Sequence, residues 1–116
     1  MKEKQQISPK ISTEEAQKRV EQAVDNFMQG YNCSQSVVAA FADLYGFTCE
    51  QALRMSASFG GGIGRMRQTC GAACGMFMLA GLDCGATEGS DRAGKSHNYA
   101  VVQQLAEKFK SQTGSI

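Results

Sequence analysis

From Thr13 onward the apolar residues recur at intervals of three and four rather than alternating, which is the helical period. Ala16, Val20, Ala23, Val24 and Phe27 form one such stripe. It begins at Glu14 and Glu15, where acid suits the positive end of a helix dipole, behind a Thr13 cap, and Gly30 stops it. Asn32 opens a second helix, with Gln35 three residues on as in a capping box. Val37, Val38, Phe41 and Leu44 carry its apolar face, and Gly46 ends it. Thr48 with Gln51 repeats the box for a short third helix through Ser58. A fourth is capped by Thr69 and runs to Leu82. A fifth runs from Arg92 to Lys110, with Tyr99, Val102, Leu105, Ala106 and Phe109 in phase. No segment alternates as a half-buried strand does, so the expected class is all-α.

The fourth helix is apolar all round, the pattern of a helix enclosed by neighbours. Gly71, Ala72, Gly75, Ala80 and Gly81 let other backbones come close, at a cost in helix propensity that packing must offset. The expected architecture is five helices packed around this central Gly/Ala/Cys-rich one. Ahead of it, Gly60-Gly61-Gly62-Ile63-Gly64 is too rich in glycine to remain helical. It reads first as a turn needing positive φ. It lacks the lysine and Ser/Thr of a phosphate loop, and no strand precedes it. Its place beside Arg65, Arg67 and a helix start also suits a small anion. At 116 residues the chain has the length of one domain. Residues 12–116 are expected to form a single helical domain, and residues 1–11, with the only proline at Pro9, a flexible lead-in.

Lys and Arg number 12 against 11 Asp and Glu. That balance lacks the basic field of a nucleic-acid binder, and it leaves self-association into a homodimer open. The uncharged run Gly71–Leu82 falls short of the roughly 20 residues a membrane-spanning helix needs, so no membrane insertion is expected. Met1–Lys10 is polar and has no signal-peptide core, which points to the cytoplasm. In that compartment five cysteines are catalytic, metal-binding or packed rather than structurally bridged, and the odd count agrees.

Three of the cysteines share a setting. Cys33, Cys49 and Cys70 each follow an expected cap, where unpaired N–H groups and the helix dipole favour a thiolate. Arg65 and Arg67 add positive potential near Cys70. Cys70 and Cys74 share a helix face with Cβ atoms roughly 5–6 Å apart. A disulfide wants roughly 3.5–4.5 Å, so each is more readily bridged to another helix, or both ligate one metal. Cys33 is the candidate partner. Cys84 lies about 21 Å along the helix from Cys70 and cannot join them. Cys49 and Cys84 read as small packing residues, and the methionines as core fillers. His97, the only histidine, could complete a thiolate metal site or act as a base.

Tyr31-Asn32-Cys33-Ser34-Gln35, Phe59-Gly60-Gly61-Gly62 with Gly64-Arg65, and Cys70-Gly71-Ala72-Ala73-Cys74-Gly75 together resemble the C_GCAxxG_C_C family of bacterial and archaeal redox-active proteins. The resemblance runs from about Asn26 to the end of the chain. It implies a helical domain with a redox role for Cys33 and for Cys70, Gly71, Ala72 and Gly75 of the CGAxxG motif. Cys74 falls at a variable position of that motif. The family pattern also implies a further tail with two cysteines beyond the segment resembling Thr113-Gly114-Ser115-Ile116.

The leading expectation is therefore a thiol redox protein, a thiol oxidoreductase or an electron-transfer component. Its reactive residues are Cys70, Cys33 and, as an auxiliary, Cys74. Asn32, Gly61, Gly62, Gly64, Arg65, Thr69, Gly71 and Gly75 would support them structurally, with an unidentified redox partner and no required cofactor. The alternatives are a metal, iron–sulfur or haem-associated module using Cys33, Cys70, Cys74 and His97, and a non-catalytic helical dimer whose cysteines only pack.

Overall fold

A computed structural model describes residues 10–116; the expected lead-in lies almost wholly outside the described residues. Five α-helices follow in order: α1 (Thr13–Met28), α2 (Cys33–Phe41), α3 (Cys49–Ser56), α4 (Gly71–Cys84) and α5 (Arg92–Thr113). Single 3-10 turns, Ala42–Tyr45 and Ala57–Phe59, extend α2 and α3. The described residues contain no strand, and the fold is all-α.

Caps set most boundaries. Both expected capping boxes are present. Asn32 accepts from the Gln35 N–H while the Gln35 side chain accepts from the Asn32 N–H, and Thr48 and Gln51 do the same. Gly46, at φ 87°, ends the turn after α2. Two expected caps are corrected. α1 is capped by Ser12, whose hydroxyl accepts from the Glu15 N–H at 3.0 Å, so Thr13 is already helical. α4 is capped by Cys70 rather than Thr69, and no side chain closes that end. The two last helices also run past their expected ends at Leu82 and Lys110.

α2 carries α1, α3 and α4 against it, and α4 lies between α2 and α5. The innermost cluster is Val38, Ala42 and Ala52, with Ala39, Phe47 and Met78 packed around it. Enclosure of α4 is partial: Gly71, Ala73, Gly75 and Ala80 are buried, while Met76 to Leu79 are half-buried.

α1 meets α2 along an unexpected face. Glu15, Ala16, Arg19, Ala23 and Asn26 are the half-buried positions, whereas Val20, Val24 and Phe27 are exposed. The two alanines let the helices close up, and polar side chains between them bond across. Arg19 Nη1 donates to the Ala40 carbonyl at 2.9 Å and to Asp43 Oδ1 at 2.6 Å, and Asn26 Nδ2 donates to the Ser36 carbonyl at 3.2 Å. The hydrogen bond from Arg19 holds the Asp43 carboxyl below its ordinary range. Tyr99 of α5, expected in the core, is likewise exposed.

Candidate functional site

The site is built where the starts of α2 and α4 meet. At the start of α2, Asn32 does more than cap. Its Nδ2 donates to the Ala57 carbonyl at 3.0 Å, and Gln35 Nε2 donates to the Leu53 carbonyl at 3.2 Å. These bonds tie the α2 terminus to the end of α3 and fix the first helical residue, Cys33. The Gly60 Cα is seated against the same asparagine, since a Cβ there would stand 2.5 Å from Asn32 Cγ.

The chain then makes a turn through left-handed φ. Gly61, Gly62, Ile63, Gly64 and Arg65 have φ between 58° and 76°, and Arg67 has φ 60°. Hydrogen bonds from Ile63 N to Phe59 O (3.2 Å), Arg65 N to Gly60 O (3.1 Å) and Gln68 N to Gly62 O (3.0 Å) close it. Glycine meets this backbone without strain, but Ile63, Arg65 and Arg67 each carry about 1–2 kcal/mol of it. Asn32, Ala57, Gly60, Gly61, Gly64 and Arg65 line a cleft of about 370 Å³ beside the turn.

The turn delivers Cys70 to the start of α4, where the backbone itself makes the contact. A Cβ on Gly71 would lie 2.8 Å from the Phe59 carbonyl and 3.3 Å from Cys33 Cβ. One helical turn on, a Cβ on Gly75 would lie 3.1 Å from the Ser34 carbonyl and 3.2 Å from Val37 Cβ. Cys33 therefore packs on the residue that follows Cys70. The Cys70 N–H donates to the Ile116 carbonyl at 2.7 Å, which brings the segment after α5 to the same place.

Cys33, Cys70 and Cys74 are all half-buried free thiols. Burial pushes the Cys74 thiol up from its ordinary value, and the charge of Cys70 pushes it the same way. Its Sγ points to the Thr69 carbonyl at 3.8 Å. Thr69 thus contributes a backbone acceptor here in place of the expected cap. Cys49 is exposed rather than packed. Cys84 is half-buried at the far end of α4, in contact with Asn98 Nδ2 at 3.6 Å.

The alternative metal set does not assemble. His97 is exposed on α5, and among the described residues no three His, Cys, Asp or Glu side chains gather into a metal-holding group. The donors therefore do not fit a metal or cluster as they stand.

Sequence reasoning passed over Ser34. It follows Cys33, is fully buried, and its hydroxyl has no hydrogen-bond partner among the described residues. An orphaned hydroxyl costs about 1–3 kcal/mol, so its placement beside the thiols is a feature of the site. A serine inside an apolar helix face was the signal available for it.

No helix among the described residues is long and apolar enough to cross a membrane. Neither a curated protein nor a solved structure matches the chain. Residues 31–116, which span every element of the site, match the family described as "Putative redox-active protein (C_GCAxxG_C_C)". The chain belongs to that family.

Proposed function

We propose that this protein carries out thiol–disulfide exchange with Cys70 as the attacking thiol and Cys33 as its partner. The observation that supports this most is the Gly71 contact. Because no side chain intervenes, the start of α4 rests directly on Cys33. The Cys70 thiolate attacks one sulfur of a substrate disulfide and forms a mixed disulfide, releasing the other sulfur as a thiolate. Cys33 then attacks the Cys70 sulfur. The Cys33–Cys70 disulfide forms, the second substrate sulfur leaves, and the substrate has gained the two electrons the protein has lost. A dithiol partner in the cytoplasm returns the pair to its reduced form.

Cys74 serves as an auxiliary thiol rather than the attacking group, since burial favours its protonated form. The cleft beside Asn32 and Arg65 is the approach for the substrate, and Arg65 supplies positive charge there. This chemistry requires no cofactor.

Mild oxidation of the reduced protein with a small disulfide, followed by non-reducing peptide mass spectrometry, tests the assignment. The expected product is a Cys33–Cys70 linked peptide that a dithiol reverses. Cys33→Ser and Cys70→Ser should each abolish it while Cys49 still alkylates. Thiols at positions 33 and 70 that stay inert to both oxidant and alkylating reagent would overturn the proposal.

A further inference from the structure

Helix α1 packs one face on α2, and among the described residues the face beside it has no partner. Ala16, Arg19, Ala23 and Asn26 are spent on α2. The adjoining face exposes Val20 (48%), Val24 (56%), Phe27 (53%) and Met28 (77%), and Tyr31 (39%), just past the helix end, is exposed as well. Val20, Val24 and Phe27 follow one another at steps of four and three, the spacing of a helix–helix seam. A contiguous apolar strip of this size on a soluble protein is often a functional surface. The stretch also lies almost wholly ahead of the family-matched residues 31–116, so the site's chemistry does not account for it.

We propose that this strip is the interface between two copies of the chain, α1 packing on α1 of the second copy about a two-fold axis. Size supports a second copy as the occupant. The exposed parts of the five side chains amount to about 100 Å² each, taking half of a large side chain's area. Two copies together then cover about 1,000 Å², the threshold for a specific interface and the range of reversible association. Charge supports it too. No residue of the seam is charged, and Gln17, which extends the same face toward the helix start, is neutral. A net charge of +1 gives two copies little mutual repulsion. A two-fold pairing needs only a patch that complements itself, which a plain apolar seam does. The chain's own first nine residues are a poor substitute cover, because only Met1 and Ile7 among Met1–Pro9 are large and apolar.

Sedimentation equilibrium of the full chain across micromolar to submillimolar concentration, with reductant present to exclude sulfur-linked dimers, tests the interface. The mass is expected to rise from 12.4 kDa toward twice that value with increasing concentration. Val24→Glu and Phe27→Glu, each placing a charge in the seam, should raise the dissociation constant by about a hundredfold. Their far-UV circular dichroism should stay native, since both side chains face outward. A wild-type mass that stays at 12.4 kDa throughout overturns the proposal and leaves the strip to a different protein or to the chain's own first residues. A dimer insensitive to both substitutions also overturns it by placing the interface elsewhere. The wild-type measurement stands even if a variant fails to fold. Neither outcome bears on Cys33–Cys70 exchange, which is read separately by oxidation.

Discussion

The two ends of α4 both carry a cysteine, and they are built on opposite terms. At its start, contact depends on missing side chains: Gly71 and Gly75 bring the backbone against Cys33, Ser34 and Val37. At its end, contact depends on side chains that reach. Tyr45 donates to Asp83 Oδ1 at 3.2 Å, Asn98 approaches Cys84 Sγ at 3.6 Å, and Cys84 Sγ lies 3.4 Å from the Ala80 carbonyl. Gly81, near this second end, has nothing within 4 Å of where a Cβ would stand among the described residues. A glycine fitted between backbones fixes the separation of two helices. A glycine facing open space fixes nothing. The thiol pair proposed for exchange sits at the end where glycines set the separation, and Cys84 at the end where side chains make the contacts.

The strongest way to break this contrast is Gly71→Ala. The new methyl would stand 2.8 Å from the Phe59 carbonyl, a backbone atom that cannot swing aside. Overpacking of this kind costs about 1–3 kcal/mol, and the upper half of that range is expected, because a backbone oxygen on one side and Cys33 on the other both resist. Chemical denaturation measures the loss. The same variant should lower the yield of the Cys33–Cys70 disulfide relative to Cys49 alkylation. A Gly71→Ala protein as stable and as readily oxidised as the parent would remove the basis for regarding the thiol end as rigid.

The far end is sharpened by pH. Burial raises the Tyr45 hydroxyl from its ordinary 10.0 to about 12, and the charge of Asp83 and the hydrogen bond to it push the same way. The folded state therefore favours neutral tyrosine. That stabilisation is complete below pH 10, where folded and unfolded chains are both protonated, and is lost as pH rises from 10 toward 12. Spectroscopic titration of tyrosinate should show a late step that disappears in Tyr45→Phe and moves to lower pH in Asp83→Asn. A Tyr45 that titrates at its ordinary value would mean this end is open to water.

What the sequence made legible follows the range of each interaction. The capping boxes at Asn32 and Thr48 involve residues three apart, so their chemistry is written locally, and both are present. The all-α class and the apolar character of α4 follow from periodicity over a dozen residues. Which face of α1 turns inward was not legible, because it depends on Arg19 meeting Ala40 and Asp43 more than twenty positions away. The cap of α4 was misplaced for a related reason. The Cys70 N–H finds its acceptor at Ile116, the far end of the described chain. The glycine run announced positive φ, yet the recruitment of Ile63, Arg65 and Arg67 into the same left-handed turn was hidden, since those residues resist that conformation on their own. The cysteine positions were readable. The glycine that seats α4 on Cys33 was visible only as a small residue, and its neighbour across the contact was not.

The smallest expected effect is also the most discriminating, because it has the opposite sign. Gly81→Ala adds a methyl to an exposed helical position with no neighbour within 4 Å. Nothing is displaced, and the unfolded chain loses freedom that glycine would have kept. A gain of about 0.5–1 kcal/mol follows, visible as a rise of about 3 °C in melting temperature. The same substitution on the same helix is thus expected to destabilise at position 71 and stabilise at position 81. Helix propensity alone predicts a gain at both, so only the close approach of the Phe59 carbonyl and Cys33 can reverse the sign at the first. Should Gly81→Ala also destabilise, the outer face of α4 must be covered by something in solution, and its open end would then be a contact surface rather than free space.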